Sequence, residues 1–128
     1  MSEALPHKPT PFTVISNYGT GGDPKARGRR RSDEPAATVT GKVSRNRVES
    51  SGGVTGRFTT AEAGRLQTFP LTYPWSGGDL AQQVGNAVPP RLAAHVLATA
   101  LGMPVEDEFL DAAVEAHWQA EEAAAVPV

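Results

Sequence analysis

The sequence predicts an α+β fold, a short irregular β region with long loops followed by about three helices. Three observations carry this prediction. In the first half, β-branched and aromatic residues cluster in pieces of four, separated by turn-forming Gly, Pro and Asp. From Thr59 onward the apolar period lengthens to that of a helix. A content of 13 Gly and 11 Pro among 128 residues, with 6% aromatics, belongs to a loop-rich chain.

The elements follow in order. Residues 1–12, with Pro6, Pro9 and Pro11, read as an irregular leader that cannot hold a helix and is a candidate for disorder. Residues 13–56 read as a β and loop region. Phe12-Thr13-Val14-Ile15 and Ala37-Thr38-Val39-Thr40 favour strands, while "YGTGGDP" and "SSGG" favour turns. Residues 57–102 carry two helices. In "TTAEAGRLQTFP", Thr59 and Glu62 have the spacing of a capping box, Ala63, Leu66 and Phe69 form one apolar face, and Pro70 stops the helix. The second helix starts at Pro90, where a missing N–H costs little, and repeats Leu92, Ala93, Val96, Leu97, Ala100 and Leu101 before Gly102. Gly85 and Asn86 read as its approach and cap, and leftover N–H groups at such a start attract anions or polar ligands. Residues 103–128 predict an acidic helix from Glu106 to Ala124 that buries Phe109, Leu110, Ala113, Val114, His117 and Trp118 on one stripe.

Charge is distributed unevenly. The formal net charge is −2, yet Lys25, Arg27, Arg29, Arg30, Arg31, Lys42, Arg45 and Arg47 face only Asp33 and Glu34 between residues 25 and 47. From Met103 onward there is no Lys or Arg. The basic zone suits nucleic acid, with a solvated loop as the plainer reading. The chain has no cysteine, which excludes disulfides, thiolate metal sites and a Cys nucleophile within it. His7, His95 and His117 are scattered without a carboxylate or second His at ligand spacing, so no metal site is expected. "GTGG" at Gly19–Gly22 lacks the spacing of a dinucleotide or phosphate loop and reads as a flexible turn. No membrane span and no secretory leader are expected.

Two stretches carry a resemblance. "RFTTAEAGRLQTFPLTYPW" (residues 57–75), followed closely by "QQVGNAVPPRLAAHVL" (residues 82–97), resembles the ninth and tenth motifs that end DNA cytosine-5 methyltransferases of bacterial and phage type. Upstream, "SNYGTGGDP", a later Arg-Gly pair and "DEPAATVTGK" resemble the target-recognition region of that family. The resemblance runs from about Thr13 to Gly102 and leaves the leader and the acidic tail outside.

It implies a role for each stretch. The tenth motif, here Gln83, Gly85, Asn86, Ala87 and Val88, would help to wall the S-adenosylmethionine pocket. The ninth would brace the recognition region, with Arg57, Glu62, Arg65 and Gln67 as polar anchors and Leu66, Phe69 and Pro70 as packing. Thr38-Val39 resembles the signature after which one recognition loop begins, and the Gly- and Arg-rich stretch before it resembles the other. Double-stranded DNA would then meet Arg27, Arg29, Arg30, Arg31, Thr38, Lys42, Arg45 and Arg47.

In that family the target cytosine is extruded and its ring attacked by a cysteine thiolate. A glutamate protonates the ring nitrogen, and the methyl group passes to carbon five. The chain has neither that cysteine nor the Gly-rich cofactor loop, the Pro-Cys motif or the Glu-Asn-Val motif. It therefore offers no catalytic residue. The resemblance implies the C-terminal portion of a methyltransferase, an incomplete fragment of its Rossmann-like fold with the recognition domain. Such a portion is inactive without a complementing N-terminal methyltransferase chain. It would be cytoplasmic, in a bacterial or phage-infected cell with restriction-modification, as half of a split enzyme or the remnant of a truncated gene. Two other readings stand beside it. One is a non-catalytic DNA-binding module. The other is a protein-interaction remnant, in which exposed Leu66, Phe69, Val96 and Leu97 would drive self-association.

Overall fold

The computed structural model describes residues 1–16, 28–53 and 55–118. Its sheet is built on β1 (Phe12–Ile15), whose β-branched and aromatic residues suit a pleated surface. Strand β1 pairs antiparallel with β2 (Arg29–Arg31) on one side and β3 (Arg47–Ser50) on the other. Strand β4 (Thr55–Gly56) adds to β3, giving the order β2-β1-β3-β4. A 3-10 turn, Val43–Arg45, leads into β3. Helices α1 (Thr60–Leu66), α2 (Leu80–Asn86), α3 (Pro90–Leu101) and α4 (Asp107–Glu115) follow, so the chain is α+β.

One core ties sheet to helices. Leu5, Phe12, Val14, Val43, Val48, Phe58, Ala63 and Val84 form a single buried cluster, with Leu66 and Trp75 packed against it. Gly64 is where α1 admits Trp75, since a Cβ there would stand 2.7 Å from the indole Nε1.

Several sequence expectations are corrected here. The leader is irregular, yet it is docked: Leu5 is fully buried, and Ser2 N–H donates to the Ser32 carbonyl at 2.8 Å. Ala37-Thr38-Val39-Thr40 is not a strand, and the two places beside β1 are taken by β2 and β3. The arginines expected on a loop instead make strand β2, where extended backbone is paired to Thr13, Val14 and Ile15. Helix α2 is an addition, with Asp79 as its cap: the Asp79 carboxylate accepts from Gln82 N–H at 3.0 Å. The acidic helix is shorter than expected and Ala116 after it is extended, while the remainder of the expected helix past Trp118 lies outside the described residues. Leu110 is buried and Val114 half-buried, but Phe109 is 73% exposed and Ala113, His117 and Trp118 are exposed too, because α4 lays only one narrow side on the rest of the chain. Leu66 and Phe69 are half-buried rather than exposed, Phe69 sitting in an aromatic cluster with Tyr73 and Trp75 at centroid distances of 4.9 Å.

The capping box is present in full and also clamps the leader. Glu62 N–H donates to Thr59 Oγ1 at 3.1 Å, and Thr59 N–H donates to Glu62 Oε2 at 2.9 Å. The other carboxylate oxygen, Oε1, is reached by Lys8 Nζ at 2.6 Å and His7 Nε2 at 3.0 Å. Burial alone would push the Glu62 carboxyl up, but the Lys8 ammonium, the Thr59 N–H and His7 together hold it below the usual range. A depressed carboxyl contributes stability above its unfolded pKa of about 4.5, and that contribution is lost as pH falls through the lower folded value. The wild-type chain therefore loses urea resistance on acidification below about pH 4.5, and Glu62→Gln flattens that part of the profile. An unchanged profile in Glu62→Gln would show that this clamp carries no pH-dependent stability.

Candidate functional site

The basic residues fall on two adjoining surfaces. Cross-strand register places Arg29 and Arg47 on either side of Ile15, and Arg31 and Glu49 on either side of Thr13, all on one face of the sheet. Glu49 stands between the arginines, 3.7 Å from Arg29 and 4.0 Å from Arg47. Arg31 pairs with Asp33 through Nε at 3.0 Å, and that hydrogen-bonded guanidinium holds the Asp33 carboxyl below its ordinary range. Arg30 lies opposite Val14 on the other face, at the sheet edge, and is exposed. The second surface is the turn before β3, where Thr38, Lys42 and Arg45 are exposed. Arg57 braces this turn by donating to the Ser44 carbonyl at 3.0 Å. Arg27 lies outside the described residues. Glu49 is the residue that sequence reasoning missed here, although its i, i+2 spacing from Arg47 places the two on one strand face.

The Gly-Asn stretch has a different geometry from the one expected. Asn86 does not cap α3; it ends α2, and its Oδ1 accepts from Gln82 Nε2 at 2.8 Å. The start of α3 is served by Thr68, whose hydroxyl accepts from Arg91 N–H at 3.2 Å. Thr68 has φ 66, a left-handed conformation that a β-branched residue rarely adopts. It closes α1 in that conformation, with Phe69 N–H reaching back to the Gly64 carbonyl at 3.0 Å. Pro89 and Pro90 have no N–H and Arg91 is committed, so at most the Leu92 N–H remains for a ligand at this helix start. Nothing in the sequence marks Thr68 for this task.

Gly85 is tight against this chain itself. A Cβ there would lie under 3.0 Å from Gly41 N, Gly41 Cα and Thr40 C. Gln83 is exposed and donates through Nε2 to the Ser76 carbonyl at 2.9 Å, while Gln67 Nε2 donates to the Val84 carbonyl at 3.2 Å. Asn86 is exposed, Ala87 half-buried and Val88 65% exposed. These residues form an open surface that cannot by itself enclose a ligand.

Beyond that surface, α3 buries none of its residues. Leu92, Val96, Leu97 and Leu101 are 56–70% exposed, and Met103 continues the apolar surface at 60%. A groove of about 650 Å³ lies elsewhere, between Phe69, Tyr73, Arg91, Leu110 and Trp118. Helix α4 closes one side of it. Buried Arg65 binds Glu115 and the Val114 carbonyl, and Arg91 binds Asp111 and, at 2.8 Å, Asp107. Among the described residues no group of His, Asp and Glu could hold a metal ion.

Residues 8–101 match the sequence profile of the C-5 cytosine-specific DNA methylases. The chain belongs to that family. It is 40% identical over 96 residues to the type II methyltransferase M.Sau96I of Staphylococcus aureus, covering 72% of this chain and 22% of the relative. It is also 34% identical over 93 residues to M.AgeI of Thalassovita gelatinovora, covering 70% and 22%. A third relative, M.PspPI of a Psychrobacter species, is 33% identical over 87 residues, covering 65% and 21%. The chain thus spans about a fifth of the length of these relatives. No solved structure is significantly similar. The matched span takes in the arginine-bearing sheet, the Gly-Asn helix and α3, whereas α4 lies past it. No helix among the described residues is long and apolar enough to cross a membrane.

Proposed function

We propose that this chain is the C-terminal, DNA-recognising portion of a cytosine-5 DNA methyltransferase and supplies one wall of its S-adenosylmethionine pocket. It works against a larger part that bears the reactive thiolate. The observation that carries this reading is α3. The matched span ends on a 12-residue helix with no buried residue and a stripe of exposed Leu and Val. An apolar surface of that kind needs a cover, and the four-fifths of the relatives that this chain does not span offer one.

The division of labour follows from the residues. With no cysteine among its 128 residues, the chain cannot form the covalent bond to the cytosine ring, so the thiolate comes from outside this sequence. Bound S-adenosylmethionine supplies the electrophilic methyl group. Gln83, Asn86, Ala87 and Val88 would line its pocket, Asn86 through the amide N–H₂ left over once its Oδ1 is engaged by Gln82. Gly85 allows α2 to lie where these residues can serve. Arg29, Arg30, Arg31, Arg45, Arg47 and Lys42 neutralise phosphates of duplex DNA, and Glu49 bridges and orients Arg29 and Arg47.

Size-exclusion chromatography tests the association. The Staphylococcus aureus relative, cut to remove the stretch that matches this chain, is mixed with it. Co-elution as one species is expected. Separate elution at micromolar concentration of both parts would overturn the reading.

A further inference from the structure

Helix α2 rests on the turn that the proposed function gives to DNA. Val84, fully buried, shares the core cluster with Val43 in that turn. One residue on, Gly85 lies against the backbone of Thr40 and Gly41 with no room for a Cβ. Gly41 is bare for the complementary reason, since the place of its Cβ is taken by the Gln82 carboxamide, one turn earlier on the same helix. The Asn86 side chain holds that carboxamide in position. Around this contact the turn is closed by Lys42 N–H donating to Thr40 Oγ1 at 3.2 Å and Val43 N–H donating to the Thr40 carbonyl at 2.9 Å. Its exposed side chains are Lys42 and Arg45, and it runs directly into Arg47 on β3.

We propose that Gly85 is a positioning residue for DNA recognition, forming with Gly41 a backbone-on-backbone seat by which α2 fixes the Thr38–Arg47 segment for its phosphate contacts. The proposal rests on the DNA-binding reading above. A contact between two backbones has no rotamers to absorb a shift, so it transmits displacement where a side-chain contact would yield. It also orders the turn before DNA arrives, and a preordered segment binds without the ordering cost. The DNA-contacting segment and the wall at Asn86 are thereby fixed by the same helix.

The test is fluorescence anisotropy of a labelled duplex of mixed sequence, titrated at low salt with the full chain. Gly85→Ala drives a methyl group into the backbone of Thr40 and Gly41, whereas Gly41→Ala meets only the far end of the exposed Gln82 side chain, which can turn away. Gly85→Ala is expected to weaken binding by on the order of tenfold, and Gly41→Ala to stay within about twofold of the wild type. Urea midpoints confirm that each variant is folded. Wild-type affinity in a folded Gly85→Ala overturns the proposal. If Gly85→Ala does not fold, Val84→Ala is compared with Leu5→Ala, a buried core truncation outside α2. Only Val84→Ala should then weaken DNA binding, and equal effects overturn the proposal. A wild-type chain that does not bind the duplex removes the DNA-binding reading itself, and the seat with it.

Discussion

Gly85→Ala lowers the stability of the chain by about 3 kcal/mol, read as a fall in the urea midpoint at unchanged slope. The added methyl lies under 3.0 Å from Gly41 N, Gly41 Cα and Thr40 C, backbone atoms that cannot rotate away. Overpacking costs about 1–3 kcal/mol when side chains give way, and backbone contacts place this site at the upper end. Helix propensity works in the opposite direction by about 1 kcal/mol and is outweighed. Against a total stability of roughly 5–15 kcal/mol, such a loss is large. Gly56→Ala, with nothing within 4 Å of its Cβ, is the comparison and stays within about 0.5 kcal/mol. An unmoved midpoint in Gly85→Ala would mean that α2 is not seated on the Thr40–Gly41 turn.

The second large effect is on assembly. Val96→Glu combined with Leu97→Glu leaves the free chain within about 0.5 kcal/mol of the wild type, because both side chains are about 60% exposed. Burial of a Val or Leu is worth about 1.5–3 kcal/mol, so two charged replacements weaken association with the larger part by about a hundredfold or more. Titration calorimetry against that part reads the loss. Wild-type association in the double variant would show that α3 is not the docking surface. A collapse of the free chain's own stability would show that α3 is already covered within it.

What was legible in the sequence was local chemistry. The Thr59–Glu62 capping box and the Pro90–Leu101 helix with Gly102 at its end were readable because their determinants lie within a few residues of each other. The β1 strand was readable from Thr13, Val14 and Ile15. Long-range pairing was not. Arg29–Arg31 has no β-branched residue and forms a strand through its pairing with β1, whereas Ala37–Thr40 has the right composition and joins no strand. The service of Thr68 to Arg91 N–H spans 23 residues, and the approach of Gly85 to Gly41 spans 44, so neither leaves a local trace. Gly85, which the resemblance puts in a cofactor wall, lies against the protein's own backbone at Thr40 and Gly41. Glu49 was readable in principle from strand alternation, once residues 47–50 were known to be a strand.

Transfer of a labelled methyl group to cytosine in duplex DNA decides between this assignment and a mere likeness. The Staphylococcus aureus relative without its matching stretch, this chain, and the mixture are each incubated with S-adenosylmethionine and DNA. Incorporation only in the mixture, abolished by Val96→Glu with Leu97→Glu, is the outcome expected of a recognition lobe and pocket wall working with a thiolate held elsewhere. Equal incorporation by the relative's part without this chain, or an associated mixture that transfers nothing, would contradict it.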